Sequence, residues 1–228
     1  MAQAVKLPAG ENINEWLAIN SMSNSLRYTP TCSRLEAQNH DGCSPFGSTP
    51  SITPYLKPYL HWWISFPSHS HSFLAVDFFN ELNLIYGTVQ QTCTEQQCPT
   101  MNAGPDYTYL WQDPVRYPTP TEMSAPKYVD HLMEWAESQI NDDSLFPLTP
   151  GTEFPRDFKK RVSTIFRRFF RVYGHIYHCH LEDIKSFSAD QHLHTCFKHF
   201  VLFCLEFNLV PEQELVPLQD VIDSFAKK

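Results

Sequence analysis

No run of about 18 apolar residues exists in this chain, so the sequence offers no candidate helix that crosses a membrane. Its opening residues, Met-Ala-Gln-Ala-Val-Lys-Leu-Pro, lack the apolar core of a secretory signal. An excess of positive charge is missing too. Against 25 Asp and Glu stand 17 Lys and Arg, a formal net charge of -8, which disfavours nucleic-acid binding and suits a basic protein partner. Seven cysteines, an odd number at irregular spacing, make no disulfide framework. A reducing cytosol or nucleus, with metal ligation by some of the thiols, is the better expectation. A His-Glu-x-x-His pattern is also lacking. A zinc-dependent hydrolase, the alternative in a different class, would need an open coordination position and a carboxylate base beside it.

What is present reads as all-α. The 228 residues suffice for one or two domains, and 14% of them are aromatic. Ile13, Trp16 and Leu17 place an apolar stripe on a helix over 11–20. Residues 21–75 then hold 11 Ser and 6 Pro without a sustained period, which marks loop or disorder. From Val76 the helical pattern resumes. Joining Asn20 to Ala75 gives one unbroken stripe (Ile13, Leu17, Ala75, Phe78, Leu82, Ile85) that ends at Gly87. Residues 21–74 therefore read as an insertion inside a helix, and 1–20 with 75–228 as a single domain. The insertion is either a real excursion from the helix axis or a translated intron. Codons for Ser21-Met22-Ser23 can spell a splice-donor-like string and that of Ala75 an acceptor, which with the restored period favours the intron.

Further on, Tyr107–Trp111 alternates like a strand and Asp113-Pro114 is a turn, which predicts a short hairpin at most. Ser124-Ala-Pro126 opens a helix with Tyr128, Leu132, Trp135 and Ile140 on its apolar face. After Pro147, Pro150 and Pro155 comes a long helix near Phe158, with Ile165, Phe169, Val172 and Ile176 on one face and Arg167, Arg168 and Arg171 on another. A helix over Leu193–Phe207 and a last one after Pro217 complete the set, and Phe169, Phe170, Phe197, Phe200 and Phe203 are expected in the core.

Two groups of metal-ligating residues stand out: Cys93-Thr-Glu-Gln-Gln-Cys98 and His175-Ile-Tyr-His-Cys-His180. Two thiolates and two imidazoles close a tetrahedral shell around a structural zinc and leave no place for water. The 76 intervening residues make such an ion a staple between distant segments, unlike the gap of about a dozen in a DNA-binding finger. Five positions correspond to about 500° around a regular helix, so His175 and His180 share no face unless the helix ends between them. His178 and Cys179 stay open as ligands on chemistry alone. The arginines suit phosphate oxygens, or are simply solvated. Trp16 fits either an exposed interface anchor or the core.

The motifs Leu7-Pro-x-Gly-Glu-x-x-Asn-Glu-Trp16, Val76-Asp-Phe-Phe-Asn80, Leu84-Ile-Tyr-Gly87, Cys93-x4-Cys98-Pro, Ser124-Ala-Pro-Lys-Tyr128, Phe170-Arg-Val-Tyr-x-His-Ile-Tyr-His178 and Phe197-Lys-His-Phe200 occur in this order. In them the chain resembles the Mob (Mps one binder, or phocein) family of kinase co-activators, closest to its class-one branch. The resemblance implies a non-enzymatic domain built on a four-helix bundle. It implies structural Zn2+ on Cys93, Cys98, His175 and His180. It implies binding to the basic N-terminal regulatory region of an NDR/LATS-type Ser/Thr kinase through Glu11, Glu15, Trp16 and Asp77. A phosphopeptide pocket at Arg167, Arg168 and Arg171, for a phosphorylated upstream kinase or scaffold, is implied too. So are mitotic-exit, cytokinesis or Hippo-type signalling and a cytoplasmic and nuclear location, with the spindle pole or division site among the expected places. Family members carry a further N-terminal segment, so a truncated gene model is a further expectation. The insertion would divide the acidic face.

Overall fold

A computed structural model describes residues 69–147 and 152–226. The helix expected over 11–20, with Glu11, Glu15 and Trp16, and the insertion up to residue 68 lie outside the described residues. Helix α1 spans His69–Val89. It thus reaches six residues into the stretch read as insertion and passes Gly87 by two. Ala75, Phe78, Leu82, Ile85 and Val89 are buried, which is the expected stripe continued by one more step.

The short hairpin forms around the expected turn after Asp113, but its first strand starts later than the alternation suggested. Strands β1 (Trp111–Asp113) and β2 (Tyr117–Thr121) pair antiparallel, while Thr108 makes only an isolated bridge to Asn102. Asp113 explains the shift. Its carboxylate accepts from the backbone N–H groups of Arg116 and Val115 and from Trp111 Nε1, which closes the turn. Those bonds, the Arg116 N–H foremost, pull its pKa down to about 2. A bidentate pair from Arg116 to Glu134 fastens the turn to the next helix.

That helix, α2 (Ala125–Ile140), starts after Ser124 with Pro126 in its first turn. Helix α3 covers Phe158–Cys179, α4 Leu181–Ser186 and α5 Asp190–Glu206. Helix α6 (Glu212–Leu215), a 3-10 turn (Val216–Leu218) and α7 (Gln219–Ala226) follow. The sequence pattern had missed α4 and α6, which are too short to show a period. Helix α1 packs against α2, α3 and α5, and α2 also meets α3, so these four helices form the bundle. All five phenylalanines expected in the core are buried. Phe78 meets Phe166 and Phe200 edge-on, and Phe166 stacks on Phe200 at 5.6 Å. Each such ring pair adds about 0.5–1.5 kcal/mol beyond its burial.

One acid lies against this core. Oε2 of Glu81 on α1 is buried and meets no hydrogen-bond partner among the described residues, and Oε1 lies 4.0 Å from His199 Nδ1. Burial, and then the neighbouring Asp77 charge, push its pKa from 4.5 up to about 7. The folded protein thus favours the protonated carboxyl. The stability this contributes is complete below pH 4.5 and is lost as pH rises through about 7. Glu81→Gln, which cannot ionise, should raise the melting temperature at pH 8, with a gain of about 3 kcal/mol at most that shrinks toward pH 4.5. Thermal melts followed by circular dichroism at both pH values check this.

Candidate metal centre and basic pocket

The chain leaves α1 with two backbone bonds back to Val89, from Thr92 and Cys93, and a third from Cys98 to Thr94. These turns hold Cys93 and Cys98 on one side, and Ala125 N–H donates to the Cys98 carbonyl at the start of α2. The histidines come from the far end of α3. His175 lies one turn before its end. Helix α3 ends at Cys179, and His180 takes φ -129° and ψ 12° before α4 begins. That break brings two side chains five positions apart to one point, which a continuous helix would not do.

The four ligand atoms lie within 4.8 Å of one another and all four residues are buried. Cys93 Sγ is 3.5 Å from His175 Nε2, and Cys98 Sγ is 3.3 Å from His180 Nε2. A tetrahedron with metal–sulfur near 2.3 Å and metal–nitrogen near 2.0 Å has sulfur–nitrogen edges of about 3.5 Å. The outer nitrogens are already committed. His175 Nδ1 donates to the Asn102 carbonyl at 2.8 Å, and His180 Nδ1 donates to Asp183 Oδ2 at 2.9 Å. Both Nε2 lone pairs therefore face the sulfurs. Burial keeps His175 neutral, with its pKa lowered to about 4, and raises that of both thiols, Cys98 to about 12. A bare thiolate is thus penalised here, and a metal cation is the partner that would stabilise two of them. The donor set could hold a metal ion.

His178 and Cys179 point elsewhere. His178 Nε2 donates to the Pro217 carbonyl at 2.8 Å, and Cys179 Sγ lies 3.3 Å from Asn102 Oδ1. Gly104 lies under the His178 ring with φ +80°, and a Cβ there would come within 3.0 Å of Nδ1. Asp183 could have been found from its i, i+3 spacing to His180. The Asn102 carbonyl had no sequence signal.

The three arginines share a pocket of about 380 Å³ with Thr108, Tyr109, Leu110, Gln112, Pro120 and Thr164. Inside it they part company. Arg168 lies between the rings of Trp111 and Trp135, at 4.2 and 4.1 Å from their centroids, and donates to the Gln112 carbonyl. It clamps the hairpin and α2 to α3 by cation–π contact. Arg167 donates through Nε (2.8 Å) and Nη2 to Glu214 Oε1. Arg171 reaches the other oxygen of Glu214 at 3.4 Å, donates to Tyr128 Oη at 3.2 Å and lies over the Tyr109 ring. Glu214, on α6, escaped the sequence reading because 43 and 47 positions separate it from its partners. Asp77, the one expected kinase-contacting residue among those described, lies half-buried on α1, and burial raises its pKa.

A profile of the Mob1/phocein family matches residues 70–218. The chain belongs to that family. It is similar to MOB kinase activator-like 1A of Arabidopsis thaliana, with 42% identity over 224 residues that cover 98% of this chain and 79% of the relative. MOB kinase activator-like 1B of Medicago sativa subsp. falcata gives the same identity and coverage. Maintenance of ploidy protein mob1 of Schizosaccharomyces pombe is 37% identical, over 98% of this chain and 81% of its own length. Of the candidate ligands between His175 and His180, this Mob protein brings His175 and His180 together with Cys93 and Cys98.

Cys98→Ser and His180→Ala should each abolish stoichiometric metal in the purified protein, as read by elemental analysis. Asp183→Ala should keep the metal but weaken its affinity by about 10–100-fold in a chelator competition.

Proposed function

We propose that this chain is a non-catalytic activator that binds the basic N-terminal regulatory region of an NDR/LATS-type Ser/Thr kinase. Its kinship to proteins named MOB kinase activators, over 98% of its length, carries the reading. The formal charge of -8 supports it, since an acidic protein steers a basic segment toward itself. Asp77, with Glu11, Glu15 and Trp16, is the surface proposed for that contact. The ion at the Cys2His2 centre is zinc, and its role is structural. Four buried protein ligands would complete a tetrahedral shell and leave no position for a reacting water, which disfavours the hydrolase alternative. The setting proposed is mitotic-exit, cytokinesis or Hippo-type signalling in cytoplasm and nucleus.

The arginine pocket is the proposed receptor for a phosphopeptide of an upstream kinase or scaffold. Arg167 and Arg171 carry the phosphate contact through their planar donors. Arg168 lines the same pocket but spends its guanidinium face on the two tryptophans. Replacing Arg167 and Arg171 together by Ala should abolish binding of a phosphothreonine peptide in a fluorescence-anisotropy titration. Arg168→Ala should instead lower the melting temperature, by the loss of about 2 kcal/mol of desolvated cation–π contact. The direct test of the whole reading is capture of the purified regulatory region of an NDR-type kinase by the folded chain. Asp77→Lys should reduce that capture, and no capture at low salt would sink the proposal.

A further inference from the structure

The arginine pair is already occupied by an anion of the protein's own. Arg167 commits Nε and Nη2 to one oxygen of Glu214, and Arg171 faces the other at 3.4 Å. One carboxylate thus bridges two arginines a helical turn apart, at the edge of the pocket they line. Resting on the phosphopeptide reading above, we propose that Glu214 is a built-in competitor, displaced by a phosphothreonine dianion but not by a singly charged side chain.

The backbone around Glu214 is fixed on both sides. Ser163 on α3 donates to the Leu209 carbonyl, His178 donates to the Pro217 carbonyl, and Leu215 is buried. The Glu214 side chain itself is 20% exposed. It leaves the arginines by rotating into solvent while its helix stays in place. Arg171 keeps its position without Glu214, because Tyr128 Oη and the Tyr109 ring hold it. Arg167 is 39% exposed, and Glu214 is its partner among the described residues, so it is free to follow the incoming anion.

Competition decides what gets in. Glu214 is tethered, so its carboxylate acts at a high effective concentration. A glutamate on a peptide offers the arginines nothing that Glu214 does not already supply. A phosphate carries a charge of about -1.5 to -2 and three terminal oxygens, enough to outbid it. The contact therefore sets selectivity as well as affinity, and a phosphomimetic glutamate is excluded by design of the pocket.

The experiment compares the full wild-type chain with Glu214→Gln. The probes are a phosphothreonine peptide of otherwise uncharged sequence and the same peptide with Glu in place of phosphothreonine. Glu214→Gln should bind the phosphopeptide about tenfold more tightly and gain measurable affinity for the Glu peptide, which the wild type refuses. Equal or weaker phosphopeptide binding by a Glu214→Gln protein of unchanged melting temperature would make Glu214 a bystander or a prop for the arginines, and would overturn the inference while leaving the pocket reading intact. Failure of both proteins to bind the phosphopeptide would remove the pocket reading and the inference with it. Should the variant melt early, the wild type decides alone. Its Glu214 side-chain carboxyl carbon, followed by NMR, should shift on phosphopeptide addition, and an unmoved signal in a bound complex would refute displacement.

Discussion

Two thiols and two imidazoles meet at the point where four segments end or begin. Cys93 and Cys98 follow α1, and the Cys98 carbonyl accepts the first N–H of α2. His175 sits one turn before the end of α3 and His180 is the N-cap residue of α4. Their side chains are buried and their outer nitrogens are bound to Asn102 and Asp183. Everything that places these groups also places the ends of the bundle helices. A cation bound there would join elements that the loop from residue 90 to 98 could not hold by itself, because its own backbone bonds are few and local.

Helix α3 is the element that connects this centre to the pocket. Its inner face carries Ile165, Phe166, Phe169, Val172 and Ile176, all buried, which leaves it no rotational freedom. With that face fixed, Arg167, Arg168 and Arg171 must emerge toward the hairpin and α6. Three cations side by side would repel one another unless each were answered. Arg168 is answered by two indole rings, and Arg167 and Arg171 by one carboxylate and a tyrosine hydroxyl. The positive site on an acidic protein is thus stabilised locally by neighbours drawn from distant parts of the chain.

The helices were legible in the sequence because their signals are local. Ala75, Phe78, Leu82 and Ile85 recur at the helical period and are buried, and Ser124 with Pro126 marks the start of α2. Gly87 misled as an end, since an exposed glycine with open space around it is tolerated inside the last turn of α1. The alternation at Tyr107–Trp111 misled as well. The Asp113 turn fixed the hairpin register, and β1 starts only at Trp111. Helices α4 and α6 span six and four residues, too few for any period to be read.

The ligand types and the basic helix face follow from sequence alone, because residue chemistry and a 3.6-residue period need no knowledge of the rest of the fold. Which histidines converge was a different matter. His175 and His180 share a point only because α3 stops at Cys179, before the short helix α4 that seats Ile184 in the core. Pairing of Arg167 with a glutamate 47 positions away, and of Arg168 with two tryptophans on β1 and α2, likewise depended on packing. Contacts across such distances leave no trace in local periodicity. They exist because burying the aromatic faces of the bundle leaves one arrangement of its surface, and that arrangement brings these charges together.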